Sequence, residues 1–487
     1  MASHHRGSDE PLLPSSTPSF HPRTPNMREA YVKRLGYIPL AFQRMMDFVS
    51  LTPRKMDRAK ATATDHEAFA HHPAIDPTMS PSIIPPPGSI RGSIFNLCGA
   101  TLGAGALSLP YAVASSGITF AVAQLVLAAF LTVYTIRLLI RAGDITMLKS
   151  YEDLALYCFG KKVEVFVELN ILVFCFGISV AYLVTLGDII TPLGALVLGD
   201  DSFFAQRWVL MSIFCFAIML PLSLLKDVSS LQFSSMLGVF SIIFLVFAVA
   251  TRSFMAIHAD GLAPDLHYVL NTSNGPNFML SVPIVMFAFT CQVNVFSIYT
   301  ELQRPCIRRM NKVVDRATTV SVLIYLTIGL VAYLAFGSSL TDASKKGNIL
   351  LSFPLNDTLI AVARAALTFT VAVAFPLNIF PCRFTLDMMF FASAKDSTVR
   401  HVAVTVSLVL AALILAIFCP SINVVFGIIG GTCSSIVCFC FPAAFIIKLE
   451  PGPLLSPAKI GPVILFVGAI LMGAVGTGVT VWSNFYQ

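Results

Sequence analysis

Charge is what this sequence has least of. Asp, Glu, Lys and Arg make up 12% of its 487 residues, against 56% hydrophobic, about half the charged share of a soluble domain. That argues against a water-soluble globular chain. Cysteine is present but carries no frame. Of the eleven, Cys98, Cys175, Cys215, Cys291, Cys306, Cys382, Cys419, Cys433, Cys438 and Cys440 lie in or beside apolar stretches, and Cys158 falls in a loop. Their spacing suggests neither a zinc site nor the disulfide framework of a small secreted protein. Cys438-Phe439-Cys440 reads as small apolar filler rather than a ligand pair. No early hydrophobic run occurs before residue 90, so no cleavable signal peptide is expected. The apolar stretches hold no His/Asp/Glu metal set and no Ser/His pairing, which argues against an enzyme, and no charged ring of the kind a channel pore uses. No cofactor and no metal are expected. The net charge of +6 sits mainly in segments outside the apolar runs and calls for no nucleic acid partner.

What the sequence has instead is a recurrence of apolar runs of about 20 residues, the length that crosses the hydrocarbon core of a bilayer. Eleven spans are expected at about 90–115, 118–142, 163–192, 205–225, 231–257, 277–299, 313–337, 357–389, 399–419, 421–447 and 460–483. They make residues 90–487 one membrane domain, an all-α integral membrane protein seated in lipid. Residues 1–89 form a polar tail with Ser/Thr-Pro steps (Thr17-Pro18, Thr24-Pro25, Thr52-Pro53, Ser80-Pro81) and a Pro-rich stretch from His72 to Gly88, the composition of a mostly disordered segment. Within it, Tyr31 to Leu51 mixes Lys33, Arg34 and Arg44 with Leu35, Ile38, Phe42, Met45, Met46 and Phe48. It is either an amphipathic helix on the inner leaflet or a linker that orders against the membrane body.

Charge sets the orientation. With the tail inside, the inner loops carry sixteen Lys and Arg and the outer loops four, Arg207, Arg252, Lys345 and Lys346. This positive-inside bias makes the N-terminus cytoplasmic. The sequons Asn271-Thr272-Ser273 and Asn356-Asp357-Thr358 then fall outside, where glycosylation requires them. A plasma membrane location fits; a lysosomal or vacuolar one is the alternative.

Two spans are interrupted. The first reads Ile94-Phe95-Asn96-Leu97-Cys98-Gly99-Ala100-Thr101-Leu102-Gly103-Ala104-Gly105-Ala106-Leu107-Ser108-Leu109-Pro110, with three glycines in seven positions. Glycine weakens a helix, and an unwound backbone at membrane depth is tolerated only where protein or a watery cavity satisfies it. The sixth span contains Phe287-Ala288-Phe289-Thr290-Cys291-Gln292-Val293-Asn294, whose amides are expensive in hydrocarbon without partners, with Pro283 removing a backbone donor just before them. An offset of five spans orients the two interruptions oppositely, as an inverted 5+5 repeat demands, and paired interruptions of this kind mark a solute site. The N–H groups of Gly103, Ala104 and Gly105 suit a carboxylate. Carbonyls near Gly99 to Thr101 and Phe287 to Ala288 suit an ammonium. Thr101, Thr290 and Gln292 add side-chain hydrogen bonds, and Phe287 and Phe289 wall a side-chain pocket. The plainer account of Gly99 and Gly103 is close helix packing. Gly427, Gly430 and Gly431 in span ten read as packing glycines.

Gly92 to Gly117, the Phe287-to-Asn294 tract with Ile298-Tyr299-Thr300-Glu301-Leu302, Asn348-Ile349-Leu350-Leu351, and Ala363-Arg364 continuing to Pro376-Leu377-Asn378-Ile379-Phe380-Pro381-Cys382-Arg383 together resemble the amino acid/auxin permease family of LeuT-fold amino acid transporters. The resemblance covers roughly residues 90 to 485, and the long tail is similar to that of kinetoplastid amino acid permeases. It implies eleven transmembrane helices in a LeuT-type 5+5 inverted repeat plus one extra helix, and alternating-access transport of an amino acid, neutral or basic. It places substrate between spans 1, 3, 6, 8 and 10, with Ser179 and Tyr182 contributing from span 3. The candidate substrate-binding residues are thus Gly99, Thr101, Gly103, Ala104, Gly105, Tyr182, Phe287, Phe289, Thr290, Gln292 and Asn294. Sodium-coupled relatives carry Asn where Gly99 stands here and a hydroxyl in span 8, where this chain has Val371-Ala372-Val373-Ala374-Phe375. Thr368 and Thr370, a turn earlier, read as hydroxyls bonded to their own helix. The resemblance therefore favours a proton-coupled symporter or a facilitator over sodium coupling. Glu168 and Asp188 are the candidate proton groups on span 3, while Glu301, Asp315 and Asp387 read as structural, and Arg364 must be paired or snorkel. The alternative function is an amino acid sensor signalling through the tail.

Overall fold

The computed structural model describes residues 88–199, 201–225, 232–271, 275–345, 347–391 and 397–485. The expectations for the tail, including Tyr31 to Leu51, lie outside them. Regular structure among the described residues is helical, with no strand.

Ser89 starts the membrane body by accepting a hydrogen bond from Gly92 N at 3.0 Å, capping α1 (Ile90–Thr101). A short 3-10 turn (Ala104–Ser108) leads into α2 (Leu109–Ser116), and the chain bends by 53° between the two halves. Gly117, at φ +88°, turns the chain into α3 (Ile118–Thr146). A side chain there would press on the backbone of Val269 and Asn271, which lies across the turn. Next come α4 (Tyr151–Phe159), capped by Ser150, and α5 (Lys161–Leu198). They are followed by α6 (Arg207–Phe214), a π turn (Cys215–Met219) and α7 (Leu220–Ser223), then α8 (Gln232–Asp260).

The second half opens with α9 (Ser281–Ala288), a break, and α10 (Val295–Glu301). It continues through α11 (Ile307–Phe336), α12 (Thr358–Phe391) and α13 (Thr398–Phe418). The tenth expected span is α14 (Ile422–Ile429), a π stretch (Gly430–Cys440) and α15 (Phe441–Leu449); α16 (Pro457–Phe485) ends the described chain.

Nine of the described helices are long and apolar enough to cross a membrane, ten when α1 and α2 count as one bent span. The fourth expected span is present as Arg207–Ser223 but is short. At about 1.5 Å per residue it reaches roughly 25 Å, less than a typical hydrocarbon core.

Burial separates inner from outer spans. The most apolar window is 83% buried in Ile422–Leu449 and 67% in Phe278–Glu301, but 28% in Ile118–Thr146 and in Pro457–Ser483. The interrupted sixth span and the tenth therefore sit at the centre, and the second and eleventh face outward. The α5 helix packs against α12, and α8 packs against both α12 and α11. The span-ten glycines are packing positions. A methyl at Gly430 would strike the Pro283 carbonyl, and one at Gly431 would meet Thr477 and the Gly473 carbonyl.

Arg364 is buried at 3% exposure. It is neither free nor snorkelling: its guanidinium donates to the carbonyls of Leu350 (2.8 Å), Phe353 (2.9 Å) and Pro354 (3.3 Å). Those carbonyls lie in and after the short 3-10 turn Ile349–Ser352, so the Asn348-to-Leu351 motif is fastened to α12 by one side chain. Asp315 pairs with Arg137 at 2.6 Å and Asp387 with Arg400 at 3.2 Å. Asn271 differs from expectation as a sequon. It is 7% exposed and donates its Nδ2 to the Ala114 carbonyl at 3.0 Å, whereas Asn356 is exposed.

Candidate functional site

Both interruptions are real and they meet. In the first span, α1 ends at Thr101 and Gly103 is extended at φ −122°, ψ −158°. In the sixth, α9 ends at Ala288, Cys291 leaves the helical region at φ −136°, ψ −1°, and a short turn (Gln292–Asn294) precedes α10. Pro283 is not the cause of this break. It is the third residue of α9, where a missing N–H costs nothing. The local cause is Gln292, whose Oε1 accepts the Cys291 N–H at 2.9 Å and so competes with the helix for that donor.

Glycine lets the two breaks touch. A methyl at Gly105 would sit 3.2 Å from Ala288 Cα and 3.5 Å from Phe287 Cδ1, while one at Gly103 would meet nothing within 4 Å. Gly105 is thus a contact position and Gly103 faces open space. That space is a cavity of about 60 Å³ available to water centres, several times the volume one water needs.

Six of the expected residues line the cavity: Thr101, Gly103, Gly105, Tyr182, Phe287 and Thr290. Ala104 lies between two of them as the first residue of the 3-10 turn. The others lie elsewhere. Gly99 is one turn back in α1, outside the lining. Phe289 is 1% exposed and packs edge-on against Tyr325, centroids 5.3 Å apart. Gln292 is fully buried, with its Nε2 donating to Thr135 Oγ1 at 3.1 Å, so its amide is spent on structure. Asn294 is exposed on the far side of the break. Ser179 is buried and donates to the Cys175 carbonyl. Thr101 and Thr290 line the cavity, and each hydroxyl donates to its own helix, to Leu97 O at 2.8 Å and Met286 O at 3.0 Å.

Three lining residues escaped sequence reasoning, Phe174, Ile178 and Phe426, while Ala100 and Ala288 fall within the carbonyl stretches expected to meet an ammonium. Phe174 and Ile178 had a signal, since they step back by four from Tyr182 along one face of α5. Tyr182 is in turn hydrogen-bonded to Asn378 of α12. Phe426 had none, because its place depends on how α14 crosses α9.

No lining side chain is charged. The cavity's polar groups are those of Thr101, Tyr182 and Thr290 and the backbone where α1 and α9 end and the second half of span one begins. Ionisable groups lie further off. Asp188 on α5 is 2% exposed and pairs with Arg207 at 3.4 Å, and Arg207 also donates to the Cys419 carbonyl at 3.3 Å. On the side of the bundle where α1 begins, Arg383 is buried beside His401 and donates to Thr405 Oγ1 at 3.2 Å. Thr370 donates to Ala366 O at 2.8 Å, and Thr368 lines a separate apolar groove between α5, α6 and α12.

Two interrupted helices that meet beside a cavity with no charged lining side chain are the arrangement of a solute transporter. The chain belongs to the transmembrane amino acid transporter protein family, whose model matches residues 86–482. It is similar to the sodium-coupled neutral amino acid symporter 2 of Danio rerio, 28% identical over 415 residues that cover 80% of this chain and 81% of the relative. The fold is of the LeuT type. The structure of MhsT in complex with L-phenylalanine matches with a TM-score of 0.52 at 13% identity, over 81% of this chain and 98% of the other. A Na+-coupled sialic acid symporter in a substrate-bound outward-open state matches with a TM-score of 0.45 at 12% identity, over 81% and 88%.

Proposed function

We propose that the chain carries neutral amino acids by alternating access, with the substrate held between the two breaks. The observation that carries this reading is the cavity at Gly103 and Gly105, which has no charged lining residue. A zwitterion's carboxylate finds the amides that start the outer half of span one, and its ammonium finds helix-end carbonyls. Its side chain lies among Phe174, Ile178, Phe287 and Phe426. A basic side chain has no acid to meet there, and Gln292 and Asn294, which could have served it, point elsewhere. The relative's name also specifies a neutral substrate.

The driving ion is a proton, or none. Gly99 offers no side-chain oxygen, Thr370 sets its methyl against Gly238 while its hydroxyl donates to Ala366, and Thr368 lines the outer groove. The relative is named as sodium-coupled, so proton and sodium gradients must be imposed separately on proteoliposomes offered a labelled amino acid panel. Neutral substrates taken up with a proton gradient, or with none, are expected. Sodium stimulation would remove the coupling assignment. Uptake of arginine or lysine would remove the substrate assignment. Binding without uptake would favour a sensor.

The side on which α1 begins is assigned to the cytoplasm from the distribution of Lys and Arg, and the plasma membrane is the membrane expected. Surface labelling of a tag placed beside exposed Asn356, and none at an N-terminal tag, checks both.

A further inference from the structure

Two helix ends converge on one hydroxyl. Thr101 and Ala288 are the last residues of α1 and α9, and a helix end leaves its carbonyls without intrahelical donors and carries the negative end of the dipole. The Tyr325 hydroxyl of α11 donates to both, at 2.6 Å to Thr101 O and 2.9 Å to Ala288 O. Tyr325 is fully buried, and its ring is held edge-on by Phe289. One phenolic proton therefore faces two carbonyl oxygens from the two broken spans.

We propose that Tyr325 is a positioning residue whose hydroxyl stands where a small monovalent cation would otherwise be needed. It presents a fixed positive end to both carbonyls and keeps the two breaks in register, so that the cavity beside them needs no ion to hold its shape. The inference rests on the reading of that cavity as the substrate site, but its physical core is testable without substrate. A Tyr325→Phe chain keeps the ring and loses the donor. The Thr101 and Ala288 carbonyls then lose their shared donor, which costs free energy, and together with cavity water they offer oxygen ligands to Na+ or Li+.

The test uses the full chain, wild type and Tyr325→Phe, purified in detergent in choline, lithium or sodium chloride at equal ionic strength. Thermal unfolding of Tyr325→Phe is expected to fall in choline and to recover in lithium or sodium chloride, while the wild type shows a smaller response or none. In proteoliposomes the turnover of Tyr325→Phe is expected to drop about tenfold and to return with the cation. Folding of Tyr325→Phe only when lithium or sodium is present would support the proposal. Equal cation responses in wild type and Tyr325→Phe, unchanged turnover, or failure to fold in all three salts alike would overturn it. Absence of uptake by the wild type would count against the transport reading alone, because the unfolding comparison needs no substrate.

Discussion

The Phe287 ring lies flat on the Phe426 ring, centroids 4.3 Å apart and planes 18° apart. This stack joins the C-terminal end of α9 to α14 and forms one wall of the cavity. Phe174 adds a third ring 6.3 Å from Phe287. The space left for a substrate side chain is set by these rings.

Phe426→Leu removes one face of the stack, worth about 0.5–1.5 kcal/mol beyond area, and enlarges the pocket. Bulky neutral amino acids should then compete better against small ones. Inhibition of labelled alanine uptake by phenylalanine and tryptophan, compared between the two chains, measures it. An unchanged order of competitors would remove Phe426 from the pocket.

The two glycines of the first break should separate binding from folding. Gly103→Ala meets open space, so its unfolding temperature should match the wild type while substrate affinity falls. Gly105→Val presses on Ala288 Cα and should lose both. Thermal unfolding with and without substrate distinguishes them, and equal destabilisation by the two changes would contradict the geometry.

Arg364→Lys should destabilise the protein by roughly 1–3 kcal/mol. Lysine keeps the charge but cannot hold three carbonyls in a planar fork. A lowered unfolding temperature, with faster proteolysis between residues 340 and 356, is the expected result. Wild-type protease resistance would mean that the loop is held by other contacts.

Glu152 gives a pH dependence of known sign. Burial pushes its carboxyl up to about 7, opposed by its own backbone amide and the Ser150 hydroxyl and reinforced by Asp153 and Glu168. The folded chain thus binds a proton that the unfolded chain releases near pH 4.5. Stability contributed by this group is present below that pH and is lost as pH rises towards 7. Glu152→Gln should flatten unfolding temperature against pH between 5 and 7. A slope unchanged by the substitution would exclude Glu152 as its source.

Much of the architecture was readable from hydropathy alone, because membrane spans must be long and apolar and their ends fall where charge returns. Described helices lie over the expected stretches, but α5 runs on to Leu198 and α11 starts at Ile307, six residues beyond the expected bounds, and Arg207–Ser223 is too short to count as a full crossing. The first break was legible in Gly99, Gly103 and Gly105. The second was legible as a place but not in its cause, since Pro283 lies harmlessly in the first turn of α9 and Gln292 unwinds the chain. Side-chain direction was the harder matter. Gln292 and Thr101 are polar residues at the right depth, yet each spends its hydrogen bonds on neighbouring groups. Phe426 and Tyr325 come from distant spans, and only the crossing of helices brings them to the breaks. Arg364 was legible as a cost and not as a solution, for its partners are backbone atoms that a sequence does not distinguish.

Asn271 puts the order of events during synthesis under constraint. Its amide nitrogen is the atom a sugar would be attached to, and in the folded chain that nitrogen is occupied by Ala114 beneath the turn at Gly117. At 7% exposure the side chain has no room for a glycan, so docking of this stretch and glycan transfer exclude one another. A chain modified there first cannot close the turn, whereas one that closes first is shielded, so a mature population should bear carbohydrate at Asn356 alone and any doubly modified fraction should be found among molecules retained for misfolding.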